Sequence, residues 1–469
     1  MPVVQEMERS TRMSVLLPRP LLLDVDLMSA QGLALQQSVA DLYGPKIVEA
    51  ATLARRMFLL RSPWAPGLRF VGAETKTLIS SEDAGSMIPI GLSGSGERLE
   101  DAFVACVGEG IDRLSHIERP GDVSKVASLA DAAEDIWPAA IETVERAAAD
   151  QSLPKDMPLG WVIGKRLGPG LGPDESFEDA QKVLLPADWC LRRTSDQLGL
   201  RPLSALSVGV AAGPTFDWAA SRAILELIER DAASLWWMGG RRGKAIPLNQ
   251  PGMAETVRLS AALRQGASDR EFWVLDITTD IGIPVVVALS CDRDGRRLAY
   301  GLASRLSIGE AMHAALLELC QTELAILLAE IKRTELGEGA LPAAERLHLE
   351  RGSSIDANRC ALLHPDGVRL GRDGLETEAP EAEGRDADGR ETEAAAKVEL
   401  RGILGALSRS EIEMALVELT RPEFDIPVVR AIAPGLQLMP GGFLTDRLRR
   451  TTAEFGGGSG DTGGIPLIL

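Results

Sequence analysis

Two rhythms of apolar and polar positions divide this chain. Helical spacing runs through Ala34–Leu60, the Ala- and acid-rich stretch 119–155, and Ile308–Ile331. A further long helix follows the turn Gly213-Pro214-Thr215 and runs to Trp237. Another ends near Ser115, after Ser93-Gly94-Ser95-Gly96. Short apolar runs broken by Gly, Ser and Pro predict strands between Phe70 and Ile90. The apolar run Leu21–Leu27 is interrupted by Asp24 and Asp26, and nothing in residues 1–69 marks chemistry. That region reads as an N-terminal helical cap or a partner-binding segment.

Two later segments read as hairpins. Trp273–Ala288 and Leu416–Ala431 each give a strand, an acidic turn, Ile-Pro-Val-Val and a second strand. They align without a gap, which fits an internal repeat and equally fits two unrelated hairpins of like turn composition. Helices interspersed with such hairpins predict an α+β fold, with duplicated sheet elements if the repeat holds. Gly168–Pro173 is a turn cluster without the spacing of a Walker A loop or a dinucleotide fingerprint. Arg372–Lys397 has Leu375 as its one large apolar residue, and reads as a disordered acidic insertion without a catalytic part.

Composition narrows the function classes. The chain has 469 residues, 45% hydrophobic and 25% charged, enough for a large core. A formal charge of −18 argues against nucleic acid and anionic membranes as partners. No apolar run approaches the roughly 18–20 residues of a membrane span. The charged start, with Glu6, Glu8, Arg9 and Arg12, lacks the form of a signal peptide, so a cytoplasmic protein is expected. Five widely spaced cysteines, Cys106, Cys190, Cys291, Cys320 and Cys360, argue against a disulfide scaffold or a structural zinc site. The four histidines make no nucleophile arrangement with them.

Candidate chemistry lies on the helices. Glu226 and Glu229 are three apart, hence on one face, and Arg230 adjoins them. Upstream, Glu109 and Asp112 repeat the spacing and Arg113 follows. Glu318 and Gln321 share a face of the third helix, which also carries Glu310, His313 and Glu323. Paired carboxylates beside a guanidinium, reached through a Gly-rich turn, suit magnesium and phosphate oxygens. Arg222, Glu226 and Arg230 are also spaced by four, as on an ordinary salt-bridged surface stripe, and the third helix alone reads as half-exposed. Spacing leaves that choice open.

Four segments resemble the YcaO family: G-E-G-I-D-R-L-S (Gly108–Ser115), V-G-V-A-A-G-P-T with E-L-I-E-R-D-A (within Val208–Ala232), A-L-L-E-L-C-Q (Ala315–Gln321) and I-P-V-V-R-A-I-A-P-G-L-Q (Ile426–Gln437). The resemblance makes residues 70–469 the catalytic domain and implies an α+β fold with an ATP cleft between sheets. It implies use of ATP and Mg2+ to phosphorylate a peptide amide oxygen while a nucleophile attacks the amide carbon. Azoline formation at Cys, Ser or Thr of a ribosomally made peptide is then expected. Thioamide formation with a sulfur donor is the nearest alternative, and a non-catalytic peptide-binding scaffold the more distant one.

Carried over by motif position, Glu109, Asp112, Glu226 and Glu229 are the expected magnesium ligands. Glu109, Arg113, Glu318 and Gln321 would line the nucleotide cleft, and Glu226, Glu229 and Arg230 would form its catalytic centre. Expected partners are the precursor peptide, a leader-binding or sulfur-delivery protein, and a second copy of the chain. This sequence departs from the family pattern at Asp112, where Glu is usual, at Pro214 and Trp218, and at Thr322-Glu323. The final Gly464–Leu469 also lacks the alternating prolines of many azoline-forming members.

Overall fold

The computed structural model describes residues 22–80, 87–132, 134–167, 177, 180–193, 199–203, 206–248, 253–266, 270–367, 393–438 and 443–467. These form three sheets. The first runs β1 (Leu22–Asp24), β2 (Ala54–Leu60), β3 (Arg69–Ser80) and β4 (Met87–Gly96) in chain order, all antiparallel. The second contains β5 (Lys125–Ala127), β6 (Leu159–Leu167), β7 (Lys182–Pro186) and β8 (Val210–Ala212). The third contains β9 (Lys244–Ala245), β10 (Glu271–Asp276), β11 (Val285–Cys291) and β12 (Ala299–Ser304), ordered β12-β11-β10-β9. Two late strands, β13 (Met414–Glu418) and β14 (Val428–Ile432), complete the second sheet, ordered β5-β6-β13-β14-β8 with β7 paired to β6. With the intervening helices this is the expected α+β architecture.

Five longer helices are α1 (Ala30–Tyr43), α2 (Leu99–Ser115), α3 (Phe216–Trp237), α4 (Ile308–Leu336) and α5 (Glu393–Arg409). Helix α2 packs on β3 and β4, α4 on β11 and β12, and α3 against β8, β12 and β14 with α5 behind it. Thr215 caps α3 by accepting from the Trp218 amide at 3.2 Å, and Ser307 caps α4 by accepting from the Glu310 amide at 3.2 Å. Small residues let helix and strand approach. A Cβ on Gly94 would lie 2.2 Å from Ala102 O of α2, and one on Gly301 2.2 Å from Ala315 O of α4. Helix α3 buries most of its circumference, including Glu229 and Asp231, so it is not the solvent-facing stripe that its charge spacing also allowed.

Several expectations change. The helical reading of Ala34–Leu60 holds to Tyr43 and again over Pro45–Ala50, but Ala54–Leu60 is strand β2. Its Met57 and Leu60 are buried in the first sheet, where pairing with β3 outweighs helical spacing. The boundary expected between residues 69 and 70 falls inside that sheet. Within 119–155 only Pro138–Asp150 is a long helix, because Lys125–Ala127 pairs with β6. Residues 372–392 of the acidic insertion, like Gly168–Pro173, lie outside the described residues. Its last five, Glu393–Lys397, begin α5 rather than a disordered segment, since Ala396 and Leu400 anchor that helix in the core.

Both hairpins form, β10–β11 and β13–β14, but their registers differ. Val274 pairs with Ala288, whereas Ala431 pairs with Leu416 and not with Val417, the residue that the gapless alignment places opposite it. All five cysteines are buried and free. Among the described residues no helix is long and apolar enough to cross a membrane.

The departure at Glu323 has a structural role. Fully buried on α4, Glu323 accepts from Arg264 Nη2 at 2.9 Å and Arg270 Nε at 3.1 Å, and also from Ser290 Oγ. It points away from the other helix carboxylates and ties α4 to the third sheet. Glu323→Leu should therefore cost about 3–5 kcal/mol by leaving the buried Arg264 without its carboxylate and taking one of two from Arg270, measured by denaturant unfolding at neutral pH.

Candidate functional site

Three helices bring their carboxylates to one cleft, and in each a glutamate is pinned by a backbone amide. The Ser93 amide donates to Glu109 Oε2 at 2.6 Å, the Gly209 amide to Glu226 Oε2 at 2.9 Å, and the Leu302 amide to Glu318 Oε2 at 2.9 Å. A fourth amide, that of Ser304, bonds Glu229. Each such bond fixes a rotamer and leaves the other oxygen for a cation. For Glu109 that cation is Arg113, at 2.5 Å. Arg230 bridges Glu226 at 3.2 Å and Glu229 at 2.8 Å.

Four residues beyond the glutamate stands Arg113 on α2 and Arg230 on α3, but Thr322 on α4. Glu318 therefore has no guanidinium of its own, and burial together with Glu229 pushes its pKa up to about 7 against the pull of Arg230. Burial also raises Glu229, with Glu226 adding to it and Arg230 opposing. Asp112 lies well above the usual carboxylate range because it is buried and faces Glu109 and Glu226, with Arg113 offsetting only part. Burial opposes the charge on Arg230, but Glu229, Glu226 and Glu318 outweigh it and raise its pKa. These mutual effects place α2, α3 and α4 around one acidic centre.

Gln321 closes the third side. Its Oε1 accepts from Ser95 Oγ at 3.0 Å and its Nε2 donates to Ser93 Oγ at 3.1 Å, joining α4 to β4. All the residues expected from sequence thus converge: Glu109, Asp112, Arg113, Glu226, Glu229, Arg230, Glu318 and Gln321. His313 and Glu310 do not join them, since His313 pairs with Glu97 at 3.5 Å and Glu310 is exposed.

Sequence reasoning missed other members. Ser93 and Ser95 lie two apart on a strand and so share a face, a signal present in the Ser-Gly-Ser-Gly run. Arg305 follows β12; its pKa is lowered by burial and by Arg222, while Glu229 partly offsets both. Tyr300, buried beside Arg230 and Glu318, donates to Leu467 O, which also accepts from Arg351 Nη1. Residues far apart in sequence carry no local signal for such contacts. Of the departures, Pro214 is exposed, and Trp218 lies under the Arg222 guanidinium, 5.1 Å from the ring centroid.

The donor set suits a hard divalent cation. Five acidic side chains face chiefly two guanidinium groups, leaving excess negative charge on oxygen donors. Among the described residues no three acidic, His or Cys side chains form a ready-made metal cage. Mg2+ rarely uses one, since it binds through one or two carboxylates together with nucleotide phosphates and water. Arg113, Arg230 and Arg305 are guanidinium groups beside these acids.

The acidic cleft, framed by three helices and by strands or turns of all three sheets, has a donor set that suits magnesium and nucleotide phosphates. Residues 93–437 match the family model described as YcaO cyclodehydratase, ATP- and Mg2+-binding, and the chain belongs to that family. It is 27% identical over 234 residues to an uncharacterised protein of Methanothermobacter thermautotrophicus, a match covering 49% of this chain and 55% of that one. Solved structures share the fold. A heterocyclase in complex with substrate and cofactor matches with a TM-score of 0.63 at 20% identity, over 90% of this chain and 55% of the other. YcaO from Methanopyrus kandleri, bound with AMPPCP and Mg2+, gives 0.56 at 17% identity, over 86% and 91%. A chain of the E. coli microcin synthetase McbBCD complex gives 0.56 at 15%, over 88% and 91%. The chain thus spans about half the length of the first two proteins described.

The raised Glu318 pKa has a consequence for stability. A carboxyl that titrates near 7 when folded and near 4.5 when unfolded binds its proton more tightly in the native state, so it removes stability as pH rises between those values. In nucleotide-free protein Glu318→Gln should match the wild type at pH 4.5 and melt several degrees above it at pH 8. Thermal unfolding across that range tests this, and a constant difference would refute it.

Proposed function

We propose that this chain activates a backbone amide of a ribosomally made peptide by ATP-dependent O-phosphorylation, leading to cyclodehydration of Cys, Ser or Thr to an azoline. The observation that supports this most is the acidic centre, where amide-pinned glutamates on α2, α3 and α4 meet Arg113 and Arg230. An amide oxygen leaves poorly as hydroxide and well as phosphate, and bound ATP with Mg2+ supplies that phosphoryl group and neutralises its charge.

The chain's own residues would then act as follows. Glu109, Asp112, Glu226 and Glu229 hold Mg2+, each glutamate keeping one oxygen on its backbone amide or guanidinium partner. Arg113, Arg230 and Gln321 orient the phosphates. The S–H or O–H of a peptide Cys, Ser or Thr would give its proton to the Glu318 carboxylate as the sulfur or oxygen bonds the amide carbon; the carbonyl π electrons move onto oxygen, which would take the γ-phosphoryl group of ATP as its bond to ADP breaks. Loss of phosphate and of the former amide proton gives the C=N bond. Glu318, with a pKa of about 7, is suited to hold and release a proton at Oε1 near neutral pH. The peptide, and a partner protein that presents its leader, complete the assembly. The McbBCD and substrate-bound heterocyclase structures favour such partners, and they favour ring formation over sulfur insertion.

Purified protein should bind ATP in a Mg2+-dependent way, and precursor peptide with its partner fraction should stimulate hydrolysis. Glu226→Gln and Glu229→Gln should each lower kcat by about 100-fold or more, as expected for groups acting on developing charge. Mass spectrometry of the peptide reads the product. Loss of one water per modified residue supports azoline formation, and replacement of oxygen by sulfur would redirect the reading to thioamidation. Absence of Mg2+-dependent ATP binding would leave a peptide-binding scaffold.

A further inference from the structure

Arg430 sits in the middle of β14, only 1% exposed, and among the described residues it makes no ion pair. Its Nη1 donates to two backbone carbonyls two residues apart, Leu206 O at 2.6 Å and Val208 O at 2.5 Å. Burying a guanidinium without a carboxylate partner is costly, so the side chain needs a reason beyond filling space. The two carbonyls belong to the turn that ends at Gly209.

That turn leads directly to the acidic centre. The Ala431 amide, next to Arg430, donates to Gly209 O at 2.8 Å, and the Gly209 amide donates to Glu226 Oε2 at 2.9 Å. Gly209 holds φ at +79°, and a Cβ there would lie 2.6 Å from Leu227 Cδ2 and 3.0 Å from Ala431 O. The peptide plane carrying this amide is therefore held from both sides, by β14 and by the guanidinium that secures Leu206 and Val208. A turn free to rotate would aim the amide elsewhere and release Glu226 towards Arg230, 3.2 Å from its other oxygen.

We infer that Arg430 is a positioning residue for Glu226, acting through the turn Leu206–Gly209, and that it thereby sets the affinity of the cleft for Mg2+. The inference rests on the reading of the cleft as an ATP and Mg2+ site. Arg430 bonds the turn, at Leu206 O and Val208 O. It selects one arrangement of a carboxylate that would otherwise close on its neighbouring guanidinium.

Two measurements on the full chain test it. Hydrogen exchange over residues 206–212, without nucleotide, reads whether the turn is held. A Mg2+ titration of ATP binding reads the consequence. Arg430→Met should speed exchange in that segment and raise the Mg2+ concentration for half-maximal ATP binding by about 10–100-fold, the usual effect of removing a group that orients a metal ligand. The KM for precursor peptide should not change. Arg430→Lys, which keeps a charged donor, should recover part of both losses. Arg270→Met, a buried arginine of the third sheet, should lower the melting temperature and leave the Mg2+ requirement alone.

A folded Arg430→Met protein with wild-type exchange at 206–212, or an equal Mg2+ shift in Arg270→Met, would overturn the inference. If Arg430→Met does not fold, Arg430→Lys and Gly209→Ala carry the test, and an unchanged Mg2+ requirement in both would overturn it too. Wild-type protein that binds no ATP with Mg2+ overturns the functional reading and the inference with it. The exchange result then distinguishes a turn that Arg430 does hold from one it does not.

Discussion

Surplus negative charge buried at one place is the constraint around which this molecule is arranged. Each carboxylate taken from water costs several kcal/mol unless it finds donors, and the two nearest guanidinium groups cannot serve five acids. The fold supplies the shortfall from its backbone. Amides of β4, of β12 and of the Gly209 turn point into the cleft and donate to its glutamates. Such donors carry no net charge and cannot swing away, so they fix the glutamates without neutralising them. What remains is an electrostatic deficit, visible in the raised Glu318, Glu229 and Asp112.

Holding those amides in place explains much of the packing around them. Gly94 and Gly301 bring α2 and α4 close enough for a glutamate to reach the strand behind its own helix. Helix α3 could not take part from the surface, since its glutamates must meet amides at the ends of two different sheets. Its Ala219, Ala220 and Ala223 allow it to lie between them. The large apolar cluster that takes in most of α3 provides stability to offset the cost of the site.

The fold class and the site were legible for different reasons. Carboxylates at i, i+3 followed by arginine appear twice, and only a shared cleft makes that repetition useful, so the eight expected residues could be named from their spacing and from the family resemblance. Strand β2 was not legible because Ala-Arg-Arg-Met-Phe-Leu-Leu suits either period, and the choice is made by β1 and β3 on its two edges. The hairpin registers were likewise hidden. Two sequences that align without a gap differ by one residue in their connections, and a change of one residue in register reverses which side chains face the core. Arg305 and Tyr300 entered the site through neighbours far away in sequence, which no local window contains.

The departures from the family pattern separate along the same line. Glu323 serves the packing: it secures α4 to the third sheet through Arg264 and Arg270. A charge there can alter stability without touching the chemistry. Asp112 is the opposite case. Its side chain is one methylene shorter than glutamate, and it stays within the field of Glu109 and Glu226. Burial, with Glu109 and Glu226 close by, raises its pKa, and Arg113 offsets only part of that. Mg2+ held among these acids would favour their charged forms, so metal affinity would be linked to the protonation of Asp112 and Glu318.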